Sequence, residues 1–318
     1  METQAKKKKR KFSWNRDDTE LTLLSLPTVI WYICFSFLPM FGIIIAFKNY
    51  SIVEAGRSFF YNLMKSEWVG FDNFKLLFTG NTMGLVLKLT ILYNLVFQIL
   101  GIVVPVTLAI LMSQLYSKRF GKICQTCMFF PHFMSWVVVT YFVFAFLSPD
   151  RGLMNSVLQS MGKETINWYL EPKYWPFILV FLNTWKGMGY GMIVYLATIT
   201  GIDSTLYEAA LIDGASKWQQ TRYITLPVLK NVIVMMFILN IGSFVRSDFG
   251  LFYQVPRAST SLYNVTETID VYIYQLLRTT FLPNYSSAAA FLQSVVGCIL
   301  ILLSNWIISK IDADSAII

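Results

Sequence analysis

Several long stretches of this chain carry no charged residue, or only one, and each is long enough to cross a membrane. About 20 helical residues span the roughly 30 Å of hydrocarbon in a bilayer. Of the 318 residues, 55% are hydrophobic and 14% are charged, which is too apolar for an ordinary soluble domain. We therefore predict an all-α integral membrane protein with six transmembrane helices. The predicted spans are Leu21–Phe47, Leu89–Met112, Ile123–Leu147, Tyr174–Thr200, Val228–Val245 and Ser286–Ser309.

The connections between the spans predict the orientation of the chain. Residues 1–20 form a basic tail that contains the run Lys6–Lys11, and basic connections favour the cytoplasmic side. Both termini are then cytoplasmic, the six-span domain covers residues 21–309, and a short tail follows at 310–318. A basic run this short fits a retention signal that touches anionic lipid, and it cannot form a domain that binds nucleic acid.

The sequence predicts no disulfide, no metal site and no catalytic residues. Cys34, Cys124, Cys127 and Cys298 all fall in apolar spans, where a thiol acts as a small hydrophobic group. Cys124 and Cys127 have the spacing of a zinc-binding pair, but His132 is the only histidine and no further ligands accompany it. A His-Glu-x-x-His motif and a pair of carboxylates within the spans are also missing, which argues against an intramembrane enzyme.

The connection between the fourth and fifth spans, residues 201–227, is the long polar one on the cytoplasmic side. Thr205 and Glu208 have the spacing of a capping box, which predicts a helix that begins there. Ser216 is a candidate N-cap for a second helix, which we expect to end before Pro227 because a residue that precedes proline disfavours helix. The sequence therefore predicts a rigid pair of short helices between two spans.

The residues of this loop resemble the EAA motif of ABC importer permeases, in which a glycine and a distal Ile-x-Leu-Pro follow Glu-Ala-Ala. The chain is similar to the permease subunits of bacterial binding-protein-dependent sugar importers. The resemblance implies that the first short helix is a coupling helix that docks in a groove of a separate ATPase subunit. The residues that would couple the two subunits are Glu208, Ala209, Ala210, Asp213, Gly214 and Pro227.

The resemblance also implies a set of partners in the bacterial cytoplasmic membrane. They are a second six-span permease, which we expect to be non-identical, two ATPase subunits that hold ATP and Mg, an extracellular substrate-binding protein, and a carbohydrate substrate. This chain has no phosphate-binding loop, because Ile and Glu follow Gly121-Lys122 and Gly162-Lys163. An ion-coupled secondary transporter of a polar solute is the alternative, which the lack of acidic residues within the spans weakens.

Polar and aromatic residues within the spans are candidates for the substrate path, because amides and aromatic rings suit sugar hydroxyls and sugar faces. The alternative for each is helix packing, since polar side chains between spans commonly bond a neighbouring helix. That the substrate is an oligosaccharide or a complex glycan is implied by the resemblance. The candidate path residues are Tyr141, Asn183, Trp185, Lys186, Tyr190 and Asn240.

Lys186 lies near the centre of the fourth predicted span, where an ammonium costs about 2.5 to 3.5 kcal/mol and needs compensation. One hypothesis pairs it with an acid such as Asp248, or with backbone carbonyls that the three nearby glycines free. The other places Lys186 and Trp185 beside a wet cavity that the glycines widen, where the amine would favour an acidic glycan. The sequence leaves both open.

Overall fold

The structure, a computed structural model, describes residues 15–51, 56–79 and 82–311. The basic run Lys6–Lys11 and residues 312–318 of the predicted C-terminal tail lie outside the described residues. Within the described ranges the chain is mostly helical. The exception to the predicted all-α fold is a pair of two-residue antiparallel strands, β1 (Lys48–Asn49) and β2 (Glu67–Trp68).

The helices include both membrane-length segments and short surface segments. Shorter turns, among them a π-turn at Gly250–Gln254 and a four-residue helix at Tyr263–Thr266, complete the outer loops. In chain order the longer helices are α1 (Arg16–Phe47), α2 (Phe59–Lys65), α3 (Asp72–Leu77), α4 (Thr82–Ser113), α5 (Lys118–Phe133), α6 (Trp136–Leu147), α7 (Leu153–Ser160), α8 (Pro172–Thr200), α9 (Ser204–Ile212), α10 (Lys217–Ile241), α11 (Ile269–Arg278) and α12 (Pro283–Ile311).

Five helices in the described ranges are long and apolar enough to cross a membrane, namely α1, α4, α8, α10 and α12. The third predicted span instead forms two helices, α5 and α6, with an angle of 102° between them. The number of spans is six if this bent pair counts as one. The prediction of several membrane helices is therefore confirmed, whereas the third predicted span, Ile123–Leu147, is not one continuous helix.

The break between α5 and α6 follows from the local sequence. Pro131 lies in the last turn of α5, where it has no N–H to continue the helical hydrogen bonds. Met134 and Ser135 are extended, and the Ser135 hydroxyl accepts a hydrogen bond from the backbone N–H of Val138 at 3.3 Å. Ser135 is thus the N-cap of α6, which favours a new helix start over continuation of α5.

Pro227 does not separate two helices as the sequence predicted. The helix that Ser216 caps runs through it, from Lys217 to Ile241, and residues Thr221–Thr225 form a π-turn just before the proline. A π-turn adds one residue to a helical turn, and this wider turn accommodates the proline ring within the helix. Helix α10, which contains the fifth predicted span, therefore begins within the loop and ends at Ile241, four residues before the predicted end of that span.

Close packing between α4, α5 and α8 forms the centre of the bundle. Gly191 of α8 lies against Pro105 of α4, and a Cβ built on Gly191 would be 2.9 Å from the proline Cγ. A Cβ on Gly189 would overlap the backbone carbonyl of Met128 in α5. These two glycines therefore allow neighbouring helices to approach, as small residues do in membrane proteins.

Two groups of buried side chains lie at opposite ends of this bundle. The group next to the 201–227 loop includes Met192, Tyr195 and Leu229. The group at the other end includes Trp175 and Phe252. Tyr195 also has a hydroxyl that would suit a substrate path, but its side chain is almost fully buried in the first group. Between the two ends the helices separate, and this separation forms the cavity described below.

We predict that Gly189→Ala destabilises the protein, because the added methyl group has no room beside the Met128 carbonyl. The expected cost is about 1 to 3 kcal/mol, as for other overpacked sites. Gly187→Ala is the matched control, since it lies on the same helix and nothing stands within 4 Å of its Cβ position. Thermal unfolding of the detergent-purified variants measures the difference, and equal unfolding temperatures would contradict the packing assignment.

Candidate functional site

Helix α9 begins two residues before the predicted start, with Asp203 in place of Thr205 as its N-cap. The Asp203 carboxylate accepts a hydrogen bond from the Thr205 N–H at 3.0 Å. Hydrogen bonding to Thr205, mainly to its backbone N–H, lowers the pKa of the Asp203 carboxyl. The predicted capping box of Thr205 and Glu208 is wrong, because a carboxylate at Asp203 accepts from the orphan N–H groups and also interacts favourably with the helix dipole.

The turn after α9 matches the prediction. Gly214 has φ of 75°, which an ordinary residue adopts only at a cost, and the N–H of Ala215 donates to the Ala210 carbonyl at 2.8 Å. The next helix then starts at Ser216, whose side chain and that of Gln219 bond each other's backbone N–H groups. The loop is therefore a rigid turn between two capped helices.

Two hydrogen bonds connect this loop to the membrane helices. The hydroxyls of Tyr207 in α9 and Thr225 in the π-turn of α10 lie 2.9 Å apart. Gln114, just after α4, donates from Nε2 to the Thr221 hydroxyl at 3.1 Å. Both threonines are buried. Helix α9 is thus attached to the start of α10 through one tyrosine, while the π-turn itself is attached to α4.

The rest of α9 faces outward. Leu211 is 66% exposed and Ile212 is 87% exposed, and no residue of α9 is buried. Glu208 and Ala209 of the predicted coupling set are exposed on the same short helix, and Asp213 is exposed at its C-cap. Apolar side chains exposed next to charges on a surface helix indicate an interaction site.

A cavity of about 540 Å³ lies between α4, α8 and the end of α10. Two polar atoms at its wall, Gln98 Nε2 and Thr184 Oγ1, are buried and have no hydrogen-bond partner among the described residues. Unpaired buried polar groups are costly, so the wall is suited to a polar ligand. The polar lining residues are Asn94, Gln98, Asn183, Thr184, Tyr190, Asn240, Ser243, Arg246, Ser247 and Asp248.

One wall of the cavity is not helical. After Ile241 the chain leaves the helix, and Asn94 of α4 donates from its amide to the carbonyls of Phe244 and Arg246, both at 2.7 Å. Asp270 of α11 accepts from the backbone N–H and the hydroxyl of Ser247. These side chains fix an irregular segment at the place where the cavity opens.

The structure brings together only part of the predicted path. Asn183, Tyr190 and Asn240 line the cavity. Tyr141 lines a separate pocket beside α6. Trp185 lines an apolar groove between α6 and α8.

Sequence reasoning missed the cavity residues that follow α10, namely Ser243, Arg246, Ser247 and Asp248. The predicted fifth span, Val228–Val245, ends within this segment. The signal that could have found it is the polar cluster Arg246-Ser247-Asp248, which comes two residues after a Gly-Ser pair at the end of an apolar run. Such a cluster marks a helix end whose polar groups face a cavity.

Lys186 is compensated by a backbone carbonyl. Its ammonium donates to the His132 carbonyl at 2.8 Å and lies 5.4 Å from the centre of the Trp136 ring. The indole N–H of Trp136 donates in turn to Asp248, so the lysine and the aspartate lie on either side of one tryptophan. The first hypothesis, in which backbone carbonyls compensate the ammonium, expected the nearby glycines to free them. The carbonyl is instead freed by the break after α5.

The comparison with known protein families decides what kind of membrane protein this is. The model of the family described as "Binding-protein-dependent transport system inner membrane component" matches residues 101–311, from the middle of α4 to the end of α12. The chain belongs to this family. The predicted class is therefore confirmed, and an ion-coupled secondary transporter is no longer the alternative.

Two relatives match nearly the whole permease. YteP, a polygalacturonan/rhamnogalacturonan transport system permease protein of Bacillus subtilis, is 36% identical over 294 residues, which are 92% of this permease and 89% of YteP. Protein LplB of the same organism is 33% identical over 297 residues, which are 93% of this permease and 91% of LplB. The similarity thus includes the irregular segment after α10 and the loop that contains α9.

Solved structures show the same fold. A chain of a bacterial ABC transporter involved in the import of the acidic polysaccharide alginate aligns with a TM-score of 0.83 at 30% identity, with 93% of this permease and 97% of that chain covered. The alginate transporter in complex with an alginate pentasaccharide-bound periplasmic protein gives a TM-score of 0.81 at 30% identity, with 93% and 96% covered. The described helices therefore have the arrangement of an ABC importer subunit.

We predict that Lys186→Met destabilises the permease by about 1 to 3 kcal/mol, because it leaves the His132 carbonyl without its donor. Lys88→Met is the control, since Lys88 is an exposed lysine on another membrane helix. Thermal unfolding and the amount of assembled importer are the measurements. A Lys186→Met protein that assembles and unfolds like the wild type, yet transports poorly, would instead favour the hypothesis that the amine meets the substrate.

Proposed function

We propose that this permease and a second, non-identical permease form the membrane path for an oligosaccharide or complex glycan. An extracellular substrate-binding protein delivers the substrate, and two separate subunits that bind ATP and Mg drive its import. The observation that supports the substrate class most directly is the similarity over nine-tenths of the chain to a permease named for polygalacturonan and rhamnogalacturonan transport. The alginate importer, which shares the fold, handles an acidic polysaccharide as well.

The cavity has the chemistry that a sugar requires. Asn183 and Asn240 offer both donors and acceptors, and Tyr190 is half exposed with its ring stacked on His132 at 4.8 Å. Neutral amides and an aromatic ring can bond hydroxyl groups and pack against the apolar face of a pyranose. We propose that these three residues contact the passing substrate, together with Gln98 and Thr184, whose polar atoms have no partner within the described residues.

The loop at residues 201–227 is the proposed contact with an ATPase subunit. Its exposed residues can contact another subunit, since Ile212 and Leu211 offer apolar surface and Glu208 and Asp213 offer charge. The small side chains of Ala209 and Ala210 permit close approach. Because α9 contacts the rest of the permease mainly through Tyr207, a force on α9 reaches α10 at the π-turn that precedes Pro227.

The proposed contact between the 201–227 loop and an ATPase subunit also implies a topology. The α9 loop is cytoplasmic, and so are both termini, with a basic tail at residues 1–20, a six-span domain at 21–309 and a short tail at 310–318. The bent pair α5 and α6 then counts as the third span. The end of the bundle opposite α9, where the outer loops lie, faces the binding protein.

The function is tested by reconstituting this permease with the second permease, both ATPase subunits and candidate binding proteins in lipid vesicles. We expect an oligosaccharide and its binding protein to raise ATP hydrolysis and to enter the vesicles. The purified permease alone should neither bind nor hydrolyse ATP. Uptake driven by an ion gradient without ATP, or stimulation by other solutes but by no carbohydrate, would contradict the proposal.

The coupling role is tested at Gly214, which has no atom within 4 Å of a built Cβ. Gly214→Val should abolish substrate-stimulated ATP hydrolysis in the assembled importer, because a branched side chain opposes the left-handed backbone by about 1 to 2 kcal/mol. Gly214→Asn is the matched control, since asparagine adopts this conformation more readily.

The charge of α9 is tested at Glu208. Glu208→Lys should weaken ATPase docking, and Glu208→Gln should have a smaller effect. Normal transport by Gly214→Val and Glu208→Lys would remove the coupling role.

A further inference from the structure

A second pocket, largely apolar but with polar groups at Gln254 and Arg257, lies apart from the main cavity, towards the end of the bundle opposite α9. Its volume is about 400 Å³, within the range of small-molecule sites. It lies between α6 and the π-turn at Gly250–Gln254, and Asp248, a residue of the main cavity, caps this turn by accepting from the Gly250 N–H. One continuous segment therefore links the two sites. The pocket is lined by Val137, Thr140, Tyr141, Phe144, Gln254 and Arg257.

Arg257 is held in an unusual backbone conformation at the mouth of this pocket. Its φ is 55° and that of Ala258 is 51°, where glycine would be the favoured residue. The guanidinium carbon lies 4.1 Å from the centre of the Phe144 ring. Within the described residues this side chain makes no ion pair and no hydrogen bond. Arg257 is exposed, so an arginine stands at a position suited to glycine with donors that no described protein group pairs and that a ligand can reach.

Other groups around Arg257 also have unused polar atoms. Gln254 Oε1 and the Tyr169 hydroxyl are buried and have no hydrogen-bond partner among the described residues. The Tyr169 ring packs 5.9 Å from that of Phe144, and burial raises the pKa of Tyr169 to about 12 although the charge of Arg257 opposes the shift. Tyr141 is 72% exposed, so its ring is accessible to a ligand.

We propose that this pocket binds a uronic acid unit of the transported oligosaccharide, with Arg257 holding the carboxylate. A guanidinium presents a planar pair of donors that matches a carboxylate, and this match is what a neutral sugar cannot provide. The exposed ring of Tyr141 supplies a surface for the sugar face, and Gln254 supplies an acceptor for a hydroxyl. The inference rests on the proposed function, and it adds the charge of the substrate and the residue that selects it.

The pocket also suits the path that the substrate takes. It lies on the side of the proposed binding protein, and its wall continues through Asp248 into the main cavity. A substrate unit that leaves the binding protein therefore meets Arg257 before it reaches the amides deeper in the bundle. Arg257 is thus a specificity-determining residue for entry.

The experiment uses the complete importer in nanodiscs of zwitterionic lipid, without the binding protein, and two labelled probes. One probe is a uronic acid oligosaccharide, and the other is the same oligosaccharide with its carboxyl groups reduced to alcohols. Equilibrium binding is measured for the wild type, Arg257→Gly, Arg257→Lys and Ala258→Gly. Arg257→Gly and Ala258→Gly both relieve a left-handed backbone, so the second is the matched control for the first.

We expect Arg257→Gly to weaken binding of the acidic probe about tenfold or more, the range of a lost charge-assisted hydrogen bond, and to leave the reduced probe unchanged. Arg257→Lys should bind the acidic probe with an affinity between those of the wild type and Arg257→Gly, because lysine keeps the charge and loses the planar pair of donors. Ala258→Gly should bind both probes like the wild type. Thermal unfolding of Arg257→Gly at or above the wild-type temperature confirms that the variant folds.

Three results would overturn the inference. Equal weakening of both probes by Arg257→Gly would show a structural role, and no weakening of either would remove Arg257 from the site. An effect that appears only when anionic lipid is added would assign the pocket to a lipid phosphate. If carbohydrates stimulate the wild-type importer in the vesicle assay, these results leave the proposed function intact, whereas stimulation by no carbohydrate overturns that function and this inference with it.

Discussion

A backbone group that leaves a helix within a membrane protein needs a partner from the protein, because the hydrocarbon supplies none. Much of this structure follows from that constraint. Where α5 ends before α6, the His132 carbonyl has no helical donor, and the Lys186 ammonium takes its place at 2.8 Å. The lysine in turn needs this carbonyl and the Trp136 ring to offset the cost of its own charge. The break and the intramembrane lysine are therefore one feature.

The same constraint applies after α10 and produces the cavity wall. The carbonyl of Val245 accepts a hydrogen bond from Gln293 of α12 at 2.9 Å. The carbonyls of Phe244 and Arg246, on either side of it, accept from the amide of Asn94 of α4. Because amides from two different helices hold this segment, it stays open between them and does not close into a helix. The polar groups that stabilise the break also make the cavity polar. The proposed sugar path thus lies where backbone irregularity and side-chain amides coincide.

Local patterns predicted the features that local physics decides. The charge-free runs located the long helices, and Gly214 with Ser216 located the turn and the restart after α9. The failures have tertiary causes. Within the apolar run 123–147, Pro131 and Ser135 favour a break locally, but the run does not contain the partner that stabilises it, because the freed carbonyl is paired by Lys186, which lies on α8. The chemistry of Asn183, Tyr190 and Asn240 alone makes them candidates for the substrate path. That these three line one cavity is decided by how α4, α8 and α10 pack.

The geometry of α10 links the two sites of the permease. Its first turns carry Thr225, which Tyr207 of α9 contacts, and its last turn carries Asn240, which lines the cavity. A helix transmits displacement along its axis, since shortening it would break its own hydrogen bonds. The π-turn at Thr221–Thr225 is where this helix departs from regular geometry, and Gln114 braces it against α4. In the proposed coupling, a push on α9 would therefore move the wall at Asn240 relative to the wall at Asn183, and this relative motion is what a path that opens and closes requires.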